Sequence, residues 1–425
     1  MRKAVIFDLD GTLTQSEEGI FNCVRYAAEG LGFQEPDAAT LRRFIGPPLA
    51  YSFKTFMGMS EEKAQEAVRV YRERYTVTGL FENRVYPGIR RLLRTLKKQG
   101  CWCAIATGKP QGPAERIAEH FGLMPYLDRV VGPQDSAPEK ERLIRAALPE
   151  QWDEAWMVGD RCFDIEGGIA AGVKTVGAGW GYGSEEELRA SGCDVYCPDV
   201  ASAIDCLCGD GQPPEGFFIS IEGLDGSGKT TQVRLLTDAM ERYGFEVVPS
   251  REPGGPAIAE KIRDILLDPA NTGMSAECEA LLYAASRAQN VRQVIRPTVA
   301  AGKVLFCDRF LDSSVAYQGG GRQLGVDRVL RLNETAVGGT MPLLTVYLDI
   351  NHEQALKRRA EATALDRMER EADSFHARVE QAYRELIRRE PERFVVVDAA
   401  EAPEVIGEKV AVQVLSRLME AERHG

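Results

Sequence analysis

The sequence lacks long apolar runs: none approaches the ~18 residues that a membrane-spanning helix needs. The first residues are basic, but the strand that follows reaches Asp8 almost at once, which leaves no hydrophobic segment for a signal peptide. Positive charge is also in deficit, with 52 Lys and Arg against 64 Asp and Glu, a net charge of −12. We therefore expect a cytoplasmic protein whose main partner is neither nucleic acid nor an anionic membrane.

Histidine is scarce, and the four histidines have no partners at metal-ligand spacing, so none is assigned a role. The ten cysteines fit reduced thiols in a cytoplasmic protein rather than disulfides. Several of them cluster between Cys193 and Cys208, but their C-x3-C and C-x-C spacings are not usual for zinc. We expect Cys193 and Cys197 to flank or lie in a strand, and we predict no structural zinc site.

The chain is long enough for two or three domains, because 425 residues exceed a single core. A stretch rich in glycine, proline and acid at 209–216 has the composition of a linker. On either side, apolar strand-like runs alternate with amphipathic helical stretches, which predicts two parallel α/β sheets with helices on both faces. The predicted strands are Ala4–Phe7, Trp102–Ala106, Ala155–Val158, Lys174–Val176, Phe217–Ile221, Glu246–Pro249, Val304–Cys307, Leu343–Leu348 and Phe394–Val397.

The most informative motif is Gly223 to Thr230, Gly-Leu-Asp-Gly-Ser-Gly-Lys-Thr, which matches the G-x-x-x-x-G-K-[ST] phosphate loop. It follows a predicted strand and leads into a predicted helix, Gln232–Tyr243, as phosphate binding requires. Its backbone N–H groups can cradle the triphosphate of ATP, while Lys229 reaches the outer oxygens and Thr230 binds Mg²⁺. The predicted ATP-binding residues are Gly223, Asp225, Gly226, Ser227, Gly228, Lys229, Thr230 and Thr231.

Acidic residues follow the first strand of the first half. Asp8 and Asp10, two residues apart on an extended segment, face the same way and suit a nucleophile and a proton donor at one phosphate. Further polar residues follow later in this half: Thr107, Lys140, Asp160 and Asp164. We expect the last two to complete a magnesium site with Asp8, because Mg²⁺ prefers carboxylate oxygen.

This order of motifs resembles the haloacid dehalogenase superfamily of phosphohydrolases, over about residues 1–208. The resemblance implies that Asp8 is a nucleophile that forms an aspartyl-phosphate and that Asp10 is the general acid and base. It also implies that Thr107 and Lys140 hold the phosphoryl oxygens. The implied metal ligands are Asp8, Asp10, Asp160 and Asp164.

The helical region over about 16–80 resembles the small helical cap of this superfamily. Phe44–Leu49 is similar to the specificity loop of its 5'-nucleotidase-like and phosphoglycolate phosphatase-like members. We therefore expect a phosphatase for a nucleotide or a related small phosphate ester. Arg42 and Arg43, next to this loop, are more typical of solvated helix charges than of substrate ligands. In the alternative, this half is a non-catalytic binding or oligomerisation module.

The second half carries acceptor-side motifs that a phosphate loop alone does not require. Arg251-Glu-Pro-Gly-Gly follows its second strand, and Asp308-Arg309-Phe310 follows its third. Tyr283 to Arg287 and Tyr317 to Arg322 add aromatic faces, an amide and glycines. Phosphoryl transfer brings two anionic groups into line while their charge is neutralised, so these residues predict a site for a monophosphate acceptor.

This pattern resembles thymidylate kinase over about residues 217–420, which implies a P-loop nucleoside monophosphate kinase fold with ATP and dTMP as substrates. By this resemblance Asp225 reaches the deoxyribose 3'-hydroxyl, and Arg251 and Arg309 hold the dTMP phosphate. Tyr283 stacks on thymine, and Tyr317 crowds the 2' position against ribose. The implied substrate-binding residues are Asp225, Arg251, Tyr283, Arg287, Arg309, Ser314, Tyr317 and Gln318, of which Arg287 and Gln318 contact the thymine edge. Glu252 and Asp308 are implied magnesium or water ligands.

The stretch Lys357–Glu369 resembles the mobile lid of this family. Some thymidylate kinases place an arginine inside the phosphate loop, where this sequence has Gly and Ser. We therefore expect the catalytic cation to be Arg367, with Arg358 and Arg359 behind it, although arginine runs also occur as plain charged helix faces. The implied catalytic residues of this half are Lys229, Arg309 and Arg367.

The resulting prediction is a Rossmannoid dehalogenase-like domain with a small helical cap over 1–208, a linker over 209–216 and a P-loop kinase domain over 217–425. The kinase resemblance also implies a homodimer through the kinase domain. An alternative acceptor remains open for the kinase half, since shikimate and adenylate kinases use the same loop on other small molecules.

Overall fold

The fold was analysed in a computed structural model, which describes residues 2–134, 139–209, 211, 213–351, 353–355, 358, 367–368 and 370–424. The chain divides into two compact units, Met1–Gln212 with Glu241–Phe245 and Pro213–Met240 with Glu246–Gly425. Each contains one parallel sheet, which confirms the predicted α/β class. Within the described ranges no helix is long and apolar enough to cross a bilayer. The boundaries predicted for the cap, linker and domains stay predictions.

The first unit is built on a six-stranded sheet. Its strands are β1 (Lys3–Phe7), β2 (Trp102–Ala106), β3 (Arg129–Val131), β4 (Glu154–Gly159), β5 (Lys174–Ala178) and β6 (Val195–Cys197). They pair in parallel in the order β3-β2-β1-β4-β5-β6. The predicted strands did not include β3, and β6 was indicated only by the strand expected near Cys193 and Cys197, because three residues are too few to form a recognisable apolar run. Cys197 ends β6, and Cys193 precedes it, as expected.

Both faces of this sheet are buried. In β1, Ala4 and Ile6 belong to one hydrophobic cluster, and Val5 and Phe7 belong to another. A strand buried on both faces has a continuous apolar sequence, which is why β1 was readable from the pattern. The helices of the first unit are Glu17–Gly30, Ala38–Arg42, Leu49–Met57, Glu61–Arg74, Ile89–Lys98, Gln111–His120, Lys140–Ala147, Cys162–Ala171, Glu185–Ala190 and Val200–Cys208.

The segment between β1 and β2 begins with four of these helices and the π-helix Tyr75–Gly79. It has a hydrophobic cluster of its own, in which Phe44 and Phe53 pack edge to face with ring centroids 5.0 Å apart. Capping side chains mark helix starts: Asp37 accepts from Thr40 N, and Ser60 accepts from Lys63 N. This segment lies within the region predicted as a cap.

The second unit is built on a five-stranded parallel sheet with the order β11-β10-β7-β9-β8. Its strands are β7 (Phe217–Gly223), β8 (Val247–Arg251), β9 (Val304–Asp308), β10 (Leu344–Asp349) and β11 (Phe394–Asp398). All five were predicted, with ends that differ by one or two residues. The helices of this half are Lys229–Arg242, Ala257–Leu267, Ala276–Asn290, Arg296–Ala300, Leu311–Ser314, Val326–Val337, Asp373–Arg389 and Pro403–His424. Because β7, β9 and β8 are neighbours, the motifs at their carboxyl ends meet at one sheet edge.

Candidate active sites

Three buried carboxylates meet at the carboxyl ends of β1 and β4. Ligand oxygens of Asp8, Asp160 and Asp164 all lie within 4.8 Å of one another, the only such group found among the residues that the structure describes. Lys140 Nζ lies 2.5 Å from Asp8 Oδ1 and 2.6 Å from Asp164 Oδ1. The structure therefore brings together four residues that the sequence placed more than 150 positions apart at their extremes.

The electrostatics of this group favour a cation. Burial raises the pKa of Asp8 well above its ordinary value, against the opposing effect of Lys140. Burial and Asp164 together raise the pKa of Asp160 to about 7. Burial alone would lower the pKa of Lys140, but Asp164 and Asp8 outweigh it and raise it. Crowded carboxylates are the donor type that Mg²⁺ prefers, so the residues present fit the predicted metal.

Asp10 lies outside this carboxylate group. Its Oδ2 is 3.1 Å from Lys109 Nζ, and Lys109 also hydrogen-bonds the hydroxyl of Tyr75 in the π-helix. Its Oδ1 is buried and has no hydrogen-bond partner among the described residues. Thr107, buried at the end of β2, accepts a hydrogen bond from Lys109 N at 3.2 Å. Lys109 was not assigned from the sequence, although it stands two residues after Thr107, which was.

The phosphate loop joins β7 to the helix Lys229–Arg242, in the predicted order. Gly223, Gly226 and Gly228 have φ of +146°, +86° and +91°, a region that favours glycine. At Gly226 a Cβ would lie 2.3 Å from the carbonyl oxygen of Ala355, so a side chain would clash there. These glycines let the backbone turn tightly around a ligand.

Polar side chains at the helix start face the loop. Lys229 is buried and its Nζ donates to the carbonyl of Leu224 at 2.8 Å. Burial, followed by Arg309, lowers the pKa of Lys229 to about 8. Thr230 Oγ1 donates to Asp308 Oδ2 at 2.7 Å, which sets a hydroxyl beside a carboxylate and fits a magnesium ion. Two further predicted ATP-binding residues differ in their exposure: Ser227 Oγ is buried without a partner among the described atoms, and Thr231 is exposed.

Arg309 connects the end of β9 to the phosphate loop. Its φ is +72°, which is uncommon for a residue other than glycine. Its guanidinium pairs with Asp225 and donates to the carbonyl of Gly223 at 3.1 Å. Tyr317 donates its hydroxyl to Asp225 Oδ2 at 2.8 Å. Burial alone would raise the pKa of Asp225, but Arg309 and Lys229 hold it well below its ordinary value. Asp225 is therefore an anion at neutral pH.

Glu222, the residue before the phosphate loop, stabilises the backbone around Arg309, whose φ is positive. Its carboxylate accepts from Phe310 N at 2.7 Å and from the hydroxyls of Ser313 and Tyr383. Ser313 Oγ in turn accepts from Arg309 Nη1 at 3.0 Å. Glu222 is 0% exposed, and burial raises its pKa to about 7. The sequence pattern did not single it out, because it stands between the predicted strand Phe217–Ile221 and the phosphate loop and belongs to neither motif.

An open cavity of about 560 Å³, a volume that includes the solvent at its mouth, lies beside this cluster. Every predicted substrate-binding residue except Arg251 lines it. Arg251, at the end of β8, is exposed and pairs with Glu260 at 3.0 Å. Tyr283 provides an aromatic side chain in the wall of the cavity. The arrangement suits a small anionic ligand with a planar ring.

Comparison with known proteins agrees with this geometry. Residues 221–410 match the family model described as thymidylate kinase. A thymidylate kinase of Exiguobacterium sp. is 44% identical over 205 residues, which are 48% of this chain and 97% of that protein. A thymidylate kinase of Desulfosudis oleivorans is 47% identical over 203 residues, 46% of this chain and 95% of that protein. The chain belongs to the thymidylate kinase family.

The first half carries a second domain, since residues 5–178 match the family model described as haloacid dehalogenase-like hydrolase. The crystal structure of a predicted phosphatase from Clostridium acetobutylicum is 37% identical and covers 49% of this chain and 98% of that one, with a TM-score of 0.45. Both predicted resemblances are confirmed. The chain thus combines an N-terminal hydrolase domain with a C-terminal thymidylate kinase domain.

In the thymidylate kinase domain, Arg287 is 1% exposed and already well bonded. It pairs with Glu252 at 2.9 Å and donates to Ser314 Oγ at 3.0 Å and to the carbonyl of Phe310 at 2.9 Å. The other oxygen of Glu252 accepts from Asn290 at 3.0 Å. Arg287 and Ser314 therefore form part of the rigid frame of the cavity, and their contact with a base stays a prediction.

Arg367, the predicted catalytic cation of the kinase domain, is buried and directly precedes Met368, which lines the acceptor cavity. Its Nη1 is 2.7 Å from Glu279 Oε2, and its Nε donates to the carbonyl of Leu266 at 2.8 Å. Its catalytic role stays a prediction. Arg358 donates to the carbonyls of Ala399 and Ala400. Apart from Met368, the rest of the predicted lid, including Arg359, lies outside the described residues.

Glu279 was missed although a signal was present. It stands four residues before Tyr283 and eight before Arg287 in the helix Ala276–Asn290, a spacing that puts all three on one helix face. Arg322 was noted only as the end of the Tyr317 motif, and it pairs with Glu279 at 3.0 Å. An acidic residue at helical spacing from Tyr283 and Arg287 is the sequence signal that could have identified Glu279, whereas its burial is visible only in the structure.

Proposed function

We propose that the thymidylate kinase domain transfers the γ-phosphoryl group of ATP to dTMP. The observation that carries the proposal is the Arg309–Asp225–Tyr317 cluster, which joins the phosphate loop to the acceptor cavity. Phosphoryl transfer depends on aligning donor and acceptor and on neutralising their charge. A cluster fixed to both sites supplies that alignment.

The residues divide the work along this line. Lys229 and the loop N–H groups bind the donor phosphates, and Thr230 with Asp308 would hold Mg²⁺, which offsets charge on the transferring group. Arg309 binds the acceptor phosphate from the other side. Arg251 is exposed and pairs with Glu260; when dTMP binds, it leaves Glu260 and binds the same acceptor phosphate.

The nucleoside part of dTMP fits the other end of the cluster. Asp225 is an anion and accepts a hydrogen bond from the deoxyribose 3'-hydroxyl. Tyr317, hydrogen-bonded to Asp225, occupies the space beside the 2' carbon and disfavours ribose. Tyr283 stacks on thymine. These contacts favour a deoxypyrimidine nucleotide over the small acceptors of other P-loop kinases.

The test is a steady-state acceptor panel on the full chain. The protein carries Asp8→Asn, so that its hydrolase domain does not consume the products. ADP release is measured in the presence of ATP and MgCl₂ with one acceptor at a time: dTMP, dUMP, dCMP, dAMP or CMP. We expect dTMP to give the highest kcat/KM and Lys229→Ala to remove the activity. A preference for dAMP or CMP would show that the domain serves another acceptor.

We propose further that the hydrolase domain is a magnesium-dependent phosphatase for a nucleotide or a small phosphate ester. The buried group of Asp8, Asp160, Asp164 and Lys140 carries this proposal. Asp8 attacks phosphorus while the bond to the leaving oxygen breaks, and Asp10 gives that oxygen a proton. Asp10 then takes a proton from a water molecule, which hydrolyses the aspartyl-phosphate and regenerates the free carboxylate of Asp8. Lys140 and Thr107 bind the phosphoryl oxygens.

Phosphate release from a panel of nucleoside monophosphates and phosphoglycolate tests this second proposal. Release that depends on Mg²⁺ and disappears in Asp8→Asn is the expected result. Phosphoglycolate hydrolysis without nucleotide hydrolysis would remove the nucleotide assignment. No hydrolysis of any ester would favour the non-catalytic alternative for this domain.

We also propose a homodimer through the kinase domain and a cytoplasmic setting. All ten cysteines are free thiols, which suits a reducing compartment. Analytical ultracentrifugation tests the first point: we expect twice the chain mass of 46.9 kDa, and a monomer at micromolar concentration would contradict it.

A further inference from the structure

A buried carboxylate, that of Glu279, holds two arginines and Gln318, a residue that lines the acceptor cavity. Glu279 is 1% exposed. It accepts from Gln318 Nε2 at 3.0 Å and from Arg322 Nη2 at 3.0 Å, and it lies 2.7 Å from Arg367 Nη1. Its two oxygens therefore connect the helix that carries Tyr283 to two other segments of the kinase domain.

The charge on Glu279 sets the orientation of the Gln318 amide. Burial alone would raise the pKa of Glu279, but the bonds from Arg322, Gln318 and Arg367 outweigh burial and lower it. An ionised carboxylate can only accept hydrogen bonds, so it takes the NH₂ end of the amide. The carbonyl oxygen Oε1 is left over, buried and without a hydrogen-bond partner among the described residues. Gln318 lines the cavity, so this oxygen calls for a donor from a ligand.

The same carboxylate anchors a wall of the cavity. Arg322 binds Glu279 with Nη2 and Glu371 with Nη1, the latter at 2.6 Å. Arg367 binds Glu279 as well, and Met368, between Arg367 and Glu371 in the chain, lines the cavity. Loss of the Glu279 charge would release both the amide and this wall.

We propose that Glu279 is a positioning residue that makes the acceptor site select a base with an N–H donor at ring position 3. This inference rests on the function proposed above. Thymine and uracil have N3–H, which can donate to Gln318 Oε1, whereas N3 of cytosine is an acceptor. Two acceptors facing each other leave both groups unpaired, and a site built around a hydrogen bond rejects such a ligand strongly.

Glu279→Gln is the variant that tests this role. A glutamine can donate as well as accept, so the Gln318 amide is free to turn and offer its NH₂ to cytosine. We expect the ratio of kcat/KM for dTMP over dCMP to fall by about 10- to 100-fold, the usual cost of an unpaired buried polar group. The KM for dTMP should rise, while the KM for ATP stays the same.

Two control variants separate selectivity from general damage. Glu277→Gln changes an exposed glutamate on the same helix, paired with Arg328 at 3.5 Å, and should leave the ratio unchanged. Glu279→Asp keeps a group that only accepts, so it should keep the selectivity even if the shorter side chain raises the KM for dTMP. A merely structural role would lower activity with both nucleotides and leave their ratio constant.

The outcomes are distinct. A folded Glu279→Gln protein that retains the wild-type dTMP over dCMP ratio overturns the inference. If that variant does not fold, Gln318→Met is the alternative test, because it removes the accepting oxygen. Retained discrimination between dTMP and dCMP then overturns the inference, and lost discrimination supports it. Absence of dTMP phosphorylation by the wild-type chain would instead contradict the proposed function itself.

Discussion

Replacing Glu222 with glutamine should change how the stability of the kinase domain depends on pH. Glu222 is 0% exposed and accepts from Phe310 N at 2.7 Å and from the Tyr383 hydroxyl at 2.8 Å. Burial, followed by Asp312, raises its pKa from 4.5 to about 7. Glutamine has the shape of the protonated acid: its oxygen can accept from Phe310 N, and its NH₂ can donate to the neighbouring hydroxyls.

The direction and size of this change in stability follow from the linkage between proton binding and folding. Between pH 4.5 and about 7 the native state holds a proton on Glu222 that the unfolded chain has lost, so the free energy of unfolding falls as pH rises. This loss of stability is absent below pH 4.5 and complete above about pH 7. The difference, 7 − 4.5 = 2.5 pKa units, corresponds to about 3 kcal/mol at ~1.36 kcal/mol per unit. The glutamine variant lacks this loss, so it should gain stability relative to wild type across the window.

Differential scanning calorimetry of the full-length proteins between about pH 5 and 8 measures the effect. For a domain of ~150–250 residues, 1 kcal/mol shifts Tm by roughly 2–4 °C, so the relative Tm should change by about 6–12 °C over the range. The transition of the hydrolase domain serves as an internal reference. Glu334→Gln, an exposed site on the helix Val326–Val337, is the matched control and should show no change with pH.

A Tm difference between Glu222→Gln and wild type that stays constant with pH would refute this reasoning. It would mean that Glu222 does not change its charge inside the domain near neutral pH. A variant that is less stable at every pH by the same amount would indicate that geometry of the accepted bonds, rather than charge, determines the role of this residue.

Three further predictions concern the two sites. Tyr317→Phe removes the hydroxyl that donates to Asp225 at 2.8 Å and should lower kcat/KM for dTMP by roughly tenfold, measured by ADP release; an unchanged value would exclude a role for this hydrogen bond. Lys109→Met removes the partner of Asp10 and should lower kcat of phosphate release by at least ~100-fold with little change in KM, as loss of acid–base catalysis does; a rise in KM alone would point to substrate binding instead. Asp164→Asn should raise the Mg²⁺ concentration for half-maximal phosphate release by ~10-fold or more, in a titration after EDTA treatment; an unchanged requirement would place the metal elsewhere.

The sheets could be predicted where a strand is buried on both faces. The apolar runs of β1 and β9 are continuous for that reason, and their positions followed from the sequence directly. β3 and β6 are three-residue edge strands, and their identity depends on pairing with β2 and β5 rather than on local composition. Local pattern therefore identifies strands of five or more residues, whereas of the two three-residue edge strands it missed β3 and gave no bounds for β6.

The candidate sites divide in a similar way. Motifs that are contiguous in the chain, such as the phosphate loop, were recognisable because the backbone and side chains act together over a few residues. Glu279 and Lys109 were not recognisable in the sequence, because each contacts partners that are distant in the chain. Gln318 is 39 positions from Glu279, and Tyr75 is 34 positions from Lys109. A single glutamate or lysine on a helix or loop usually belongs to a solvated surface, so only the fold reveals that these are buried and paired.

A competition among acceptors tests the proposed kinase function most directly. Full-length protein with Asp8→Asn is mixed with ATP, MgCl₂ and equal concentrations of dTMP, dUMP, dCMP, dAMP and CMP, and the diphosphates formed at early times are separated by liquid chromatography and mass spectrometry. We expect dTDP as the main product, and none when Lys229 is also changed to alanine. Predominant formation of dADP or CDP, or no diphosphate at all, would contradict the assignment.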